Sequence, residues 1–391
     1  MEHFPIVLGL CRSAMQNGNQ ALRSHVERLA RALEKEKQQE QVEALRKVLK
    51  SAESLQEISP SRVVLSRASL KGESLTPSVT APVDRETGDP LAEIVFPDQR
   101  QTERPIFSGQ LSKGITDLLE EWRHVDDLRK AGVRPAWATM LFGAPGTGKT
   151  MLARHIASEL GLPLITARLD GLISSFLGTT ARNISNLFSF ANRYKCILLL
   201  DEFDAVAKVR DDPHELGEIK RVVNTLLQCI DGRAEIGFTI AVTNHESLLD
   251  PAVWRRFDIR IEIPKPDADA RVAMLKRHFS DRETNDTVIR LMAWITEGGS
   301  GSDIEKLVDF VRRQQAIRKE KFDFLLTVRN FVQMSAHENQ SQNRRLIGED
   351  DDALARMLAS DKAVPFSQEQ LAMLFGCTQP TISRWLKKDN K

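Results

Sequence analysis

Gly143-Ala144-Pro145-Gly146-Thr147-Gly148-Lys149-Thr150 fits the pattern G-x-x-x-x-G-K-[ST]. Ahead of it, Ala138–Phe142 is a short apolar run suited to a buried strand. Behind it, Met151–Leu160 carries apolar residues at helical spacing. Strand, glycine loop and helix are the setting of a phosphate cradle: glycines let the backbone approach the anion, and the helix N-terminus points its N–H groups at it. Lys149 is then expected to reach the β- and γ-phosphates, with the Thr150 hydroxyl on Mg²⁺ and Met151 completing the nucleotide-binding stretch. A Gly-rich turn without a ligand is the bland alternative, and the flanking strand and helix weigh against it.

Ile197-Leu198-Leu199-Leu200-Asp201-Glu202 is an apolar strand ending in two carboxylates. Ligands in open α/β sheets sit at the carboxyl ends of strands, where these acids would emerge beside the loop. Asp201 is expected to hold Mg²⁺ and to count among the nucleotide-binding residues, and Glu202 to orient and deprotonate the attacking water. A further apolar strand, Phe238–Val242, is followed by Thr243 and Asn244, whose amide can hold the lytic water and the γ-phosphate. Taken alone, such an Asn is more often a turn former. Arg255 and Arg256 are adjacent, so they leave a helix in different directions. The functional reading sends them to a nucleotide in a neighbouring subunit; the plain one leaves a solvated basic surface.

Other strand candidates are Leu164–Ala167 and Ile259–Ile263, again near-continuous apolar runs of the kind found in parallel sheets covered on both faces. After Pro264-Lys265-Pro266 the pattern is purely helical: Asp267–Phe279, Asp286–Thr296, Gly301–Lys319 and Phe322–Ser335. The expected organisation is an amino-terminal helical partner-binding region over 1–52, then a linker over 53–104 with short strands at Val63–Leu65 and Ala92–Phe96. An α/β subdomain over 105–264, a helical lid over 265–339, a polar linker over 340–352 and a three-helix unit over 353–391 complete it.

Composition narrows the class. The 391 residues suffice for two or three domains. Charged residues make up 28% yet leave a net charge of only +1, so there is no global pull toward nucleic acid or anionic membrane. The four cysteines form no C-x-x-C, which reads as reduced thiols in a cytoplasmic protein. No apolar run approaches the ~20 residues of a membrane span, so no membrane is expected.

Taken together these segments resemble the AAA subgroup of AAA+ ATPases. Walker A matches Gly143–Thr150, Walker B matches Ile197–Glu202 and sensor 1 matches Asn244. The second region of homology matches Asp250–Asp258, and Gly298-Gly299-Ser300-Gly301-Ser302-Asp303 is similar to the start of a lid helix in that family. The resemblance covers about residues 105–337. It implies a P-loop α/β large subdomain with a parallel five-stranded sheet, an all-helical lid, and ATP with Mg²⁺ as cofactors. It further implies a homo-oligomeric ring, usually of six, with Arg255 and Arg256 acting on the neighbour's nucleotide. An aromatic pore loop is implied at Phe176-Leu177-Gly178, where relatives grip an extended polypeptide; Ser175 stands where many carry Lys. No arginine opens the Ser302 helix, so no lid-borne sensor arginine is expected there.

Phe366–Leu386 has the grammar of a helix-turn-helix. Ser367 and Thr378 cap the two helices, Gly376 sits at the turn, and Pro380 falls in the first turn of the second. Ile382, Trp385 and Leu386 would pack inward and leave Gln379, Thr381, Ser383 and Arg384 facing out as DNA-contacting residues. A protein-docking module of the same shape is the alternative. The leading expectation is an ATP-hydrolysing ring that remodels or threads a protein substrate, with an effector partner and a DNA tether. The other is a DNA-binding regulator whose oligomeric state ATP switches.

Overall fold

The computed structural model describes residues 33, 38, 41, 43, 72–97, 104–169, 177–207, 216–233, 236–279, 285–335, 343 and 346–387. The chain divides into two units, Met1–Ser66 and Arg67–Lys391. In the first, Leu33 is buried in helical backbone, and residues 41 and 43 are helical too; the rest of the helices expected over 4–52 lies outside the described residues, as does Val63–Leu65.

The second unit is built on a sheet of order β1-β3-β4-β5-β2-β6. Its strands are β1 (Ala92–Val95), β2 (Ala138–Phe142), β3 (Leu164–Ala167), β4 (Ile197–Leu200), β5 (Thr239–Thr243) and β6 (Ile259–Glu262). The last five are parallel. The sheet adds one strand to the five expected: β1 runs antiparallel along the edge of β3, from Ala92 opposite Ala167 to Val95 opposite Leu164. Its segment falls in the stretch read as a linker. Asp84 holds the turn ahead of it, accepting from the Glu86 N–H at 2.7 Å and from Asn183 Nδ2 at 2.6 Å.

Helices cover both faces. β4 is inaccessible along its whole length, and its residues alternate between two cores. Leu198 and Leu200 face a core with α4 (Leu177–Arg193) and α6 (Leu216–Arg233). Ile197 and Leu199 face one with α1 (Gly109–Arg123) and α3 (Lys149–Leu160), which also holds Trp122 stacked on Phe238 at 4.0 Å. Each such aliphatic side chain contributes about 1.5–3 kcal/mol by leaving water. Short helices α2 (Val125–Lys130), α5 (Asp204–Ala207) and α7 (Pro251–Trp254) lie in the connections.

The lid follows as α8 (Ala268–His278), α9 (Asp286–Ile295), α10 (Gly301–Arg318) and α11 (Phe324–Met334). Asp267, Asn285, Ser300 and Asp323 each cap one of them with a side-chain oxygen, an arrangement that stabilises each helix by about 1 kcal/mol. The final helices are α12 (Asp351–Ser360), α13 (Gln368–Leu374) and α14 (Gln379–Lys387). They are not a separate body after a linker. Leu354, Leu358, Leu371 and Ile382 share one core with Leu291, Trp294 and Leu307 of the lid. Within the stretch expected as linker, Ile347 is buried in that same core, and Asn343 donates to the Trp294 carbonyl at 3.0 Å. Two adjacent apolar residues, Leu346 and Ile347, among polar and charged ones were too weak a pattern to reveal this.

Candidate functional site

The loop between β2 and α3 lies where the sequence places it, and two glycines there are obligatory. A Cβ on Gly143 (φ +135°) would stand 2.4 Å from the Ile263 carbonyl oxygen, because the end of β6 crosses behind the loop. One on Gly146 (φ +74°) would stand 2.8 Å from Ser300 Oγ of the lid. The lid meets the loop there: the Ser302 N–H donates to the Gly146 carbonyl at 3.2 Å.

Lys149 is buried and donates from Nζ to the carbonyls of Gly143 (2.9 Å) and Ala144 (2.7 Å). Burial pushes its ammonium below the ordinary lysine value, opposed first by Asp201 and then by Glu246 and Asp204. A cationic head drawn onto a glycine loop at the start of a helix is suited to a phosphate chain. Thr150 Oγ1 donates to Asp201 Oδ2 at 2.9 Å, while Asp201 Oδ1 accepts from the Glu202 N–H at 3.0 Å. A hydroxyl and a carboxylate side by side are hard oxygen donors, the set Mg²⁺ takes beside substrate phosphates, so these residues fit that ion.

Glu202 is exposed and carries φ +50°, one of two described non-glycine residues with positive φ. Such a backbone costs about 1–2 kcal/mol and persists only where its surroundings hold it. They do: the Phe203 N–H donates to the Val242 carbonyl at 2.8 Å and Phe203 is fully buried. Glu202 lines the same cleft as Asn244. Asp204 is buried and accepts from Thr243 Oγ1 at 3.0 Å, tying α5 to β5.

The cleft has a volume of about 640 Å³, enough for a nucleotide. Pro145 to Met151, Asp201, Glu202 and Asn244 line one end. Ile106, Phe107, Met274 and His278 line it as well. Arg277 and Arg312 of the lid also line it, and neither carried a sequence signal.

Arg255 and Arg256 do not line the cleft of their own chain. Both are exposed, and Arg256 pairs with Asp231 through Nε at 3.3 Å. The motif's other half is structural. Phe257 is buried edge-on against Phe203, and Asp258 Oδ2 accepts from the N–H groups of Trp137 (2.9 Å) and Ala138 (3.1 Å) at the start of β2. Phe176 lies outside the described residues, and Leu177 opens α4.

In the terminal helices Ser367 makes a capping box with Gln370, and Gly376 has φ +62°. Ile382 is buried; Trp385 and Leu386 are half-buried against the lid core. Gln379, Arg384 and Lys387 are exposed on α14, and Thr381 and Ser383 are half-buried.

The family model of ATPases associated with various cellular activities (AAA) matches residues 139–265. An uncharacterised AAA family ATPase of Sinorhizobium fredii, y4kL, is 37% identical over 248 residues, covering 63% of this chain and 74% of that protein. A proteasome-activating nucleotidase of Methanopyrus kandleri is 31% identical over 285 residues, covering 64% of this chain and 65% of that one. The ATP-dependent zinc metalloprotease FtsH of Aquifex aeolicus is 34% identical over 223 residues, 53% of this chain and 35% of that one.

Proposed function

The chain belongs to the AAA family of ATPases, and from that premise we propose that it is a ring-forming motor that hydrolyses ATP to remodel or thread a protein substrate in the cytoplasm. Bound Mg²⁺ would neutralise charge on the transferring phosphoryl group, with Thr150 and Asp201 holding it. Lys149 and the loop from Gly143 to Thr150 bind the phosphates. Glu202 takes the proton from the attacking water, and Asn244 orients that water. The observation that carries the ring is the placement of Arg255 and Arg256: exposed, and absent from the cleft their own chain builds. Arginines with this role serve the adjoining copy, most naturally in a closed ring of six. Relatives named for activating a proteasome or for ATP-dependent proteolysis support a protein substrate. Phe176 and Leu177 would grip it. Among the described residues no helix is long and apolar enough to cross a membrane.

The test is ATPase rate per chain against protein concentration, with sedimentation in parallel. The rate should climb cooperatively as rings form; a constant rate from monomers would end the ring reading. With Phe176→Ala, turnover of ATP should survive while processing of a protein substrate is lost.

A second reading concerns α14, whose exposed Gln379, Arg384 and Lys387 favour DNA as a further partner. In it, ATP would switch the oligomeric state of a DNA-binding regulator. Full activity of Phe176→Ala on every assay would favour this over threading.

A further inference from the structure

Besides the phosphate loop, two further parts of the chain line the cleft, and a bond between Arg277 and the Arg104 carbonyl makes them neighbouring walls. Pro105, Ile106 and Phe107 form one; Met274, Arg277 and His278 form the other. The lid residues fall at i, i+3 and i+4 of α8, so they share a face. Leu275 and Phe279 anchor that helix in the lid core. Residues 104–108 belong to no strand or helix. Their ties include Phe107 packed against the core below α1 and a long bond of 3.5 Å from Ser112 Oγ to the Phe107 carbonyl. Arg277 crosses from lid to wall: its guanidinium donates to the Arg104 carbonyl, 173 positions away in sequence.

Resting on the reading of this cleft as the nucleotide site, we propose that Arg277 is a positioning residue for the nucleotide. By gripping the Arg104 carbonyl it holds the Pro105–Phe107 segment against α8. It thereby sets the width of the slot between Ile106 and Met274 that takes the base and ribose of ATP. A planar base gains most when both apolar walls touch it, and a wall free to swing loses that contact. An arginine suits the task because its long side chain carries several N–H donors in one plane, one of which reaches the carbonyl. The bond lies at the rim, outside the phosphate chemistry, so its loss acts on holding the nucleotide and not on the water attack.

The experiment uses the full chain and the fluorescent probe N-methylanthraniloyl-ADP, displaced by excess ADP in a stopped-flow instrument. Arg277→Met keeps the length of the side chain and removes the donor. It should release the probe about tenfold faster, the change expected for one charge-assisted hydrogen bond of ~1.4 kcal/mol. Arg277→Lys should recover most of the loss, since an ammonium can still reach the carbonyl. In steady state the effect should fall on KM with kcat little changed, and melting without nucleotide should match the wild type. Ile106→Ala should also speed release, and adding Arg277→Met to it should cost little more, because both act through one wall. Release at the wild-type rate from Arg277→Met overturns the proposal. So do equal losses in Arg277→Lys and Arg277→Met, full additivity with Ile106→Ala, or a lower nucleotide-free melting temperature with a matching fall in kcat. A wild-type protein that does not bind the probe overturns the nucleotide reading of the cleft instead, and this inference with it.

Discussion

Thr150 Oγ1 and Asp201 Oδ2 stand 2.9 Å apart, joining the first turn of α3 to the end of β4 across 51 positions of sequence. The bond pairs the two hard oxygens that suit Mg²⁺ and sets them against the loop that suits phosphate. Asp201→Asn keeps an oxygen for Thr150 but removes the charge. Nucleotide affinity of the wild type should fall when EDTA removes Mg²⁺, whereas that of Asp201→Asn should be low and indifferent to the metal. Titration calorimetry with and without Mg²⁺ reads the difference. An unaltered Mg²⁺ response in the variant would remove Asp201 from the metal site.

Glu202 lines the cleft on a backbone with φ +50°, and its neighbour Phe203 is locked in the core. Geometry this costly is best explained by a use for the side chain. Glu202→Gln preserves shape and removes the base. ATP should bind within about twofold of the wild type, while kcat falls by about 10²–10⁴, the usual contribution of a positioned base. Single-turnover hydrolysis beside equilibrium binding separates the two. A rate within tenfold of the wild type would assign the proton to another group.

Local signals were legible in the sequence and distant pairings were not. Gly143 to Thr150 could be read because loop chemistry is written in consecutive residues, and Ile197 to Glu202 because a buried strand ending in acids breaks its own pattern. β1 was visible only as five residues of strand character, Ala92–Phe96. Its partner, β3, is chosen by tertiary pairing, and nothing local encodes that choice. Asp258 sat inside a recognised motif, yet its bonds reach Trp137 and Ala138, more than a hundred positions back. Arg277 looked like any surface cation at the end of a helix. The terminal helices were read as an independent unit because their amphipathic faces are alike whether they cover each other or the lid; Leu371 and Ile382 in fact join the lid core.

The two adjacent arginines are not equivalent. Arg256 is held toward Asp231 of its own chain by a half-exposed pair of the kind that contributes about 0–1 kcal/mol, whereas Arg255 is exposed. Either substitution to Ala should leave nucleotide binding intact and lower turnover, by up to about 10³–10⁵ if the guanidinium serves the transferring phosphoryl group. Because that service is given to another copy, mixing Arg255→Ala with Glu202→Gln should restore activity at junctions that pair an intact Glu202 with an intact Arg255. Two inactive variants that stay inactive at every mixing ratio would contradict action between copies.

On α14, Arg384 and Lys387 are exposed, and Arg384 leans on the Pro380 carbonyl at 3.4 Å. If the helix contacts DNA, the two cations neutralise phosphates and release counterions. Replacing Lys387 by Ala should weaken binding alike across sequences and reduce the slope of log affinity against log salt by about 1. The same loss from Arg384→Ala with a change in sequence preference would place Arg384 against a base. Fluorescence anisotropy over a salt series measures both. An unchanged slope in each variant would leave α14 to a protein partner.

His155 on α3 is half-buried, and burial pushes its imidazole below the ordinary value of 6.5; nearby Glu159 opposes the shift and Arg104 adds to it. The unfolded chain therefore binds this proton more readily than the folded one as pH drops through 6.5 toward the lowered folded value. The contribution of His155 is fully present above 6.5 and is lost progressively below it. Melting temperatures taken at about pH 7.5 and about pH 5.5, either side of the ordinary imidazole value, should converge in His155→Gln relative to the wild type. Equal acid sensitivity in the two proteins would show that the loss comes from other groups.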